Sequence, residues 1–336
     1  MLVWLKFSIC SMAMIYAGYK LSMYGNIISE KTQITKTLMG FVLLALATSL
    51  PEFVTSGSSI TVVHSPNLAA GDLFGSLLIN LMIIALLDLI QGKGPLMYEA
   101  RPSHILYGGL SIILMGIVCS SLILRSQLNG SLGVFGFGLD SLVLLAVYIL
   151  GLRLIFTYEK KSPSPPPSEK ESFPLYKGIS LRSILIKFLI CFVGIVFLGI
   201  WLAEIGKELV TTMGWSESLV GTSLLALSTS LPELIVTVSA LKFSIDMAIG
   251  NILGSNFFDI MIIPLCDALL REKEFLGEIS SQHLFTLMLS IILTAIVVVG
   301  LIYRSKKAFL KLGWDAIAMV ATSIVGGYFL ILIMKG

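Results

Sequence analysis

Long apolar runs alternate with short polar breaks along nearly the whole chain. An apolar helix needs about 20 residues to cross a bilayer. Ten runs reach that length, at roughly 2–24, 37–62, 67–90, 104–124, 132–156, 181–205, 217–241, 246–270, 281–302 and 314–334. The pattern predicts an all-α membrane protein with ten transmembrane helices. The first run has only Lys6 ahead of its core and no small-x-small cleavage site after it, so it reads as a span and not as a signal peptide.

The polar breaks divide the runs into two sets. The 157–180 segment contains Lys160-Lys161-Ser162-Pro163-Ser164-Pro165-Pro166-Pro167-Ser168-Glu169-Lys170, a charged, proline-rich stretch expected to be an extended linker. It separates residues 1–156 from residues 181–336, with five runs on each side. Five is odd, so a second half built like the first enters the membrane from the opposite side. Two inverted five-helix repeats are the expected layout.

Composition narrows the class. The 336 residues are 56% hydrophobic and 13% charged, with a mean hydropathy of +0.94, which leaves little chain for a soluble domain. A net charge of +3 is no nucleic-acid signature. Where the positive charges fall is more informative. With the N-terminus outside, 17 of the 23 lysines and arginines fall on the cytoplasmic side. The positive-inside rule therefore predicts both termini outside and the 157–180 linker in the cytoplasm of a cell (plasma or inner) membrane. Cys10, Cys119, Cys191 and Cys266 fall on four different runs and read as packing residues. His64, His104 and His283 lie singly near loops, without the clustering that zinc requires.

Two blocks inside the apolar runs recur. Leu43-Leu44-Ala45-Leu46-Ala47-Thr48-Ser49-Leu50-Pro51-Glu52 returns as Leu224-Leu225-Ala226-Leu227-Ser228-Thr229-Ser230-Leu231-Pro232-Glu233. A charge at membrane depth is costly and usually functional. Each proline removes a backbone donor and frees the carbonyl four residues back, that of Ala47 or Ser228. Thr48, Ser49 and Glu52 share one helix face, as do Thr229, Ser230 and Glu233. A broken helix lined with hard oxygen atoms reads as a cation site. The second block is Gly71-Asp72-Leu73-Phe74-Gly75-Ser76-Leu77-Leu78-Ile79-Asn80, matched by Gly250-Asn251-Ile252-Leu253-Gly254-Ser255-Asn256-Phe257-Phe258-Asp259. Asp72, Ser76 and Asn80 make one polar stripe, and Asn251, Ser255 and Asp259 make its equivalent. The paired glycines have the spacing that lets membrane helices approach closely.

These blocks resemble the two α-repeats of the cation/calcium exchanger superfamily, the sodium/calcium exchangers, over roughly residues 30–90 and 213–270. The resemblance implies an antiporter, not an enzyme, that exchanges calcium for sodium by alternating access. It implies a midplane ion site made of the Ala45 carbonyl, Thr48, Ser49, Glu52, Ser76 and Asn80 from the first half. From the second half it implies the Ala226 carbonyl, Thr229, Ser230, Glu233, Ser255 and Asp259. The expected partners are the transported cations and membrane lipid, with no cofactor, nucleic acid or obligatory protein partner. Calcium takes six to eight hard oxygens and favours carboxylates, which Glu52 and Glu233 supply.

The chain departs from the family pattern at four positions. Ala47 and Ser228 stand for the glycine before Thr-Ser, Leu77 for the asparagine after Gly-Ser, and Asp72 for the asparagine after Gly71. Asp72 adds a fourth acid and is a candidate pH-sensing group. Proton-coupled or potassium-dependent exchange of the same build is an open alternative, and a channel is another. An intramembrane aspartyl protease is remote. Asp72 and Asp259 could supply its two acids, but alanine replaces the first glycine of Gly-x-Gly-Asp at Ala69-Ala70-Gly71-Asp72, and no Tyr-Asp partner is present.

Overall fold

The computed structural model describes residues 1–32, 45–92, 94–128, 133–134, 137–161, 180–242, 244–271, 273–306, 308–309 and 312–335. The first half contains α1 (Leu2–Thr32), α2 (Ala45–Thr48), α3 (Leu50–Thr61), α4 (Pro66–Gln91), α5 (Leu96–Glu99), α6 (Ser103–Leu128), a hairpin of β1 (Gly133–Val134) and β2 (Phe137–Gly138), and α7 (Leu139–Lys161). The second half contains α8 (Leu181–Met213), α9 (Glu217–Val220), a π-helical turn (Gly221–Leu225), α10 (Ala226–Leu241), α11 (Ile245–Leu270), α12 (Phe275–Glu278), α13 (His283–Tyr303), a hairpin of β3 (Ala308–Phe309) and β4 (Leu312–Gly313), and α14 (Trp314–Lys335). The two series match. Each runs from a long helix through an interrupted one, a long helix, a one-turn helix and a long helix to a hairpin and a last long helix.

Among the described residues, nine helical stretches are long and apolar enough to cross a membrane. The first part of the run at 37–62 lies outside the described residues, as does most of the 157–180 linker. Four boundaries differ from the sequence expectation. The run at 132–156 becomes helical only at Leu139, because Gly133, Gly136 and Gly138 are poor helix formers and the described part of the segment forms a hairpin instead. At its far end α7 continues through 157–161, into the segment expected to be linker. Helices α1 and α8 both extend about two turns beyond their apolar cores.

Burial sorts the helices. In the most apolar window of α4 67% of residues are buried, and in α11 72%, against 28% in α1, 28% in α7, 17% in α8 and 22% in α14. α4 and α11 are therefore the central pair, and the other four turn most of their apolar surface outward as lipid-facing helices do. α4 packs against α3, α10, the π-helical turn and α11, while α1 packs along α8. One apolar core fills the space between α4, α6, α11 and α13, and a second lies between α1 and α8.

Close approach at the centre depends on glycine. A Cβ on Gly71 would lie 2.8 Å from Gly221 Cα, and one on Gly75 would lie 2.5 Å from Thr222 O. The small-residue spacing in the second repeated block thus seats α4 on the π-helical turn of the other half.

Two aspartates tie the halves together. At the end of α4, Asp88 accepts from Leu96 N at 2.5 Å, the first residue of α5, and from Gly313 N of the second half's hairpin at 2.7 Å. At the end of α11, Asp267 accepts from Phe275 N at 2.7 Å and from Gly138 N of the first half's hairpin at 2.7 Å. Each buried carboxylate satisfies backbone donors that would otherwise lack partners. The helix starts show a second cross-tie. Asp246 at the start of α11 accepts from Arg101 N at 2.8 Å and lies 3.1 Å from His104 Nε2. Its positional counterpart Asn67 accepts from Ser280 N at 2.7 Å. His104 is thus not isolated, as its sequence position suggested: it sits fully buried against an acid.

The tight glycine contact gives a direct test. Gly75→Ala forces a Cβ into Thr222 O, and overpacking of this kind costs about 1–3 kcal/mol. The variant should melt at a lower temperature in detergent. Gly116→Ala on α6, where a Cβ would meet no atom within 4 Å, should melt no lower than the parent. Equal melting temperatures for Gly75→Ala and the parent would contradict the packing.

Candidate cation site

The first repeated block builds its break one step earlier than its proline suggests. Ser49 interrupts the helix between α2 and α3, and Pro51 then sits within the first turn of α3, where a missing N–H costs nothing. The second block is built differently. The π-helical turn at Gly221–Leu225 precedes it, and α10 runs unbroken through Pro232. The expectation that both prolines break their helices alike is therefore corrected. Ser228, whose carbonyl was expected to be freed toward the ions, directs its hydroxyl elsewhere, donating to Ser11 of α1 at 2.7 Å.

Thr48, Ser49, Glu52, Ser76, Asn80, Thr229, Ser230, Glu233, Ser255 and Asp259 are all buried, and the Ala45 and Ala226 backbones lie beside them. The contacts cross between halves. Thr48 Oγ1 lies 3.2 Å from Ser255 Oγ, and Ser76 Oγ lies 3.4 Å from Thr229 Oγ1. Ser230 donates to Glu52 Oε1 at 3.5 Å. Thr48 also donates to the Ala45 carbonyl at 3.1 Å, and Thr229 lies 3.3 Å from the Ala226 carbonyl. Asn80 differs: its amide donates to Asn256 Oδ1 at 3.0 Å, and Asn256 in turn donates to Leu77 O at 3.2 Å.

The carboxylates are poorly satisfied. Both oxygens of Glu233, both of Asp259 and Glu52 Oε2 are buried with no hydrogen-bond partner, as are Ser49 Oγ and Asn80 Oδ1. Thr48 lies beside Glu233, Thr229 beside Glu52 and Ser49 beside Asp259. Glu52 and Asp259 act electrostatically on Glu233, and Asp72 acts on Glu52 and Asp259. Among the described residues, no three acids, histidines or cysteines converge on one point as a metal centre. A cation here would meet a mixed set of carboxylate, hydroxyl, amide and carbonyl oxygens, which suits hard ions.

Four further residues belong to the cluster and were not among the predicted ligands. Asp72 accepts from Thr229 at 2.9 Å and from Ser56 at 3.1 Å. Asn251 accepts from Thr48 at 3.4 Å and donates to Thr237 Oγ1 at 2.8 Å. Ser56 and Thr237 each stand four residues after a site glutamate, on the same helix face. That spacing was a signal available in the sequence.

The model of the sodium/calcium exchanger protein family matches residues 3–157 and 183–334, nearly the entire chain. The chain belongs to that family. A membrane protein of Methanocaldococcus jannaschii, MJ0091, is 26% identical over 69% of this chain and 70% of its own length. The Escherichia coli inner membrane protein YrbG is 26% identical over 77% of each chain. The Methanosarcina acetivorans sodium/calcium exchanger MaX1 is 46% identical over a shorter stretch, 15% of each chain. The solved structure of the sodium–calcium exchanger NCX_Mj, soaked with Na+ and Sr2+, superposes with a TM-score of 0.59 over 97% of this chain and 98% of its own, at 21% identity. The fold is that of this exchanger, and the protein is an integral membrane protein of a transporter family.

The unsatisfied carboxylates predict an unusual stability effect. An unpaired buried charge is costly. Glu233→Gln should therefore melt above the parent in the presence of a calcium chelator. Its melting temperature should also rise less than the parent's when calcium is added. A variant that melts below the parent in chelator would show that Glu233 is already paired.

Proposed function

We propose that this protein is a secondary antiporter that exchanges calcium for sodium across a cell membrane, with the ions bound between its two halves. One observation carries the reading. Each half contributes a buried glutamate with at least one carboxylate oxygen lacking a hydrogen-bond partner, and each glutamate lies beside a threonine of the opposite half. Calcium favours two or more carboxylates, and sodium accepts the same hard oxygens. An ion held by both halves bridges them, so its arrival and departure are coupled to how the halves sit against each other. Ions that compete for one carboxylate set exposed alternately to either side are exchanged. The names of MaX1 and NCX_Mj as sodium/calcium exchangers support the same ion pair.

The cargo is calcium and sodium, held by Glu52, Glu233 and Asp259 with Thr48, Ser49, Ser76, Asn80, Thr229, Ser230 and Ser255 and the carbonyls of Ala45 and Ala226. Proton-coupled or potassium-dependent exchange is the second reading, favoured by the number of acids in the cluster. Calcium uptake into proteoliposomes under separately imposed sodium, proton and potassium gradients separates them. An outward sodium gradient should drive calcium uptake, and Glu52→Gln and Glu233→Gln should each abolish it while the protein still inserts. The amide keeps size and loses most of the Coulomb attraction. Near-parental flux in either variant would remove the glutamates from the site.

The layout we infer is ten spans in two inverted repeats, with both termini outside and the 157–180 linker in the cytoplasm. Gln127, at the end of α6, and Lys306, after the end of α13, are exposed and occupy matching places in the two halves. Cysteines introduced at these positions should react with impermeant reagents from opposite sides, Gln127→Cys from outside and Lys306→Cys from the cytoplasm. Reaction of both from one side would exclude inversion.

A further inference from the structure

Two arginines stand in matching places at the ends of α6 and α13, and their surroundings differ. The Arg125 side chain is 8% exposed and pairs with Asp140 at 2.7 Å and with Glu274, the residue before α12. Arg304 is exposed. Pro95, the residue before α5, stands where the other half has Glu274. Asp315 matches Asp140, but it is buried and accepts from the backbone at the start of α14. Arg304 turns instead to α5, where Nη2 donates to Tyr98 O at 2.7 Å and to Ala100 O at 3.2 Å.

A second cation joins it. Lys306 Nζ lies 5.3 Å from the centroid of the Tyr98 ring, and Arg304 Cζ lies 5.9 Å from the same point. At these distances an aromatic face attracts a cation. Two cations on one ring also repel each other, so the arrangement calls for an anion. Among the described residues no acid of the chain supplies it, since neither Arg304 nor Lys306 forms an ion pair. Glu99, next to Tyr98, accepts from Gln91 Nε2 at 3.2 Å, and Asp88 accepts from Leu96 N and Gly313 N. In the other half Gly277 and Gln127 take the places of Tyr98 and Lys306, so the ring and the second cation are both missing there.

The neighbouring surface indicates the kind of anion. Ile302 and Tyr303, just before Arg304, are 64% and 70% exposed, and the Tyr303 ring meets Trp314 edge to face at 6.1 Å. Exposed apolar and aromatic surface that runs directly into exposed cations marks a membrane boundary. The cations therefore lie at headgroup height, above a wall that an acyl chain can cover. Because Nη2 is held by two carbonyls, the guanidinium is fixed, and its other N–H groups are left for a phosphate. We propose that Tyr98, Arg304 and Lys306 form a seat for the phosphate of an anionic phospholipid whose acyl chain lies on Ile302 and Tyr303. The seat is separate from the cation cluster between the halves and shares no residue with it.

Native mass spectrometry of the full chain tests this, with phosphatidylglycerol titrated into micelles of detergent and phosphatidylcholine. The parent should hold phosphatidylglycerol in preference to phosphatidylcholine. Lys306→Gln should bind it about fivefold more weakly, the effect of one basic residue near an anionic surface. Arg304→Gln should weaken binding at least as much. Lys273→Gln removes an exposed cation paired with Glu278 elsewhere, and it should bind as the parent does. Equal binding of the two lipids by the parent, parental affinity in Lys306→Gln, or an equal loss in Lys273→Gln overturns the proposal. Displacement of the lipid by inorganic phosphate alone would make a soluble anion the occupant and overturn it too. Lys306→Gln leaves the carbonyl contacts of Arg304 in place, so it decides even if Arg304→Gln does not fold.

Discussion

The interior of this protein is organised by acids that the chain itself does not neutralise. Glu52, Asp72, Glu233 and Asp259 are buried, while the described lysines and arginines that form ion pairs engage other acids nearer the helix ends. In a bilayer such an arrangement is stable only if hydroxyls, protons or cations stand in for the missing positive charge. Around these acids the chain places threonines, serines and asparagines in place of apolar side chains. The packing follows from the same need. Hydroxyls of one half reach the other half's glutamates only if the central helices approach closely, and Gly71, Gly75 and Gly221 permit that approach.

The halves are held together away from the site. Asp88 and Asp267 each fix a one-turn helix of their own half and a hairpin of the other. These ties lie at the far ends of α4 and α11 and use backbone donors. α1 and α8 pack along each other and are mostly outward-facing. The molecule thus has ties at the ends of its central helices and a polar contact between its halves along their middle.

Much of this was legible in the sequence, and the reasons for the exceptions are specific. Runs of membrane length gave the long helices because burial in lipid leaves the backbone no alternative to helix. The repeated blocks located the buried acids because no structural need puts Glu-after-Pro in an apolar run twice. The hairpin at Gly133–Gly138 was missed because its residues are apolar enough to extend the neighbouring run, and only the glycine content argued otherwise. The helix breaks were misplaced because a π-helical turn has no composition signal. Its position is set by the contact of Gly221 with Gly71 and Leu68, a tertiary constraint. Ser56 and Thr237 were overlooked because a hydroxyl one turn beyond a glutamate is ordinary in a membrane helix, and only the carboxylate or amide it meets gives it a role.

The duplication is not exact. The first half breaks its helix at Ser49 and the second at a π-helical turn. One half fixes its hydroxyls with a carboxylate and the other with an amide. At the helix starts the pattern recurs: Asp246 accepts from a backbone amide and faces His104, while Asn67 in the matching place accepts from a backbone amide. In each pair the geometry is conserved between halves and the charge is not. Perfect symmetry would place the same charges in both halves. Replacing one acid by its amide at a shared geometry changes the electrostatics while leaving the packing that both halves depend on. That is the least disruptive way for a duplicated fold to make its two halves electrostatically different.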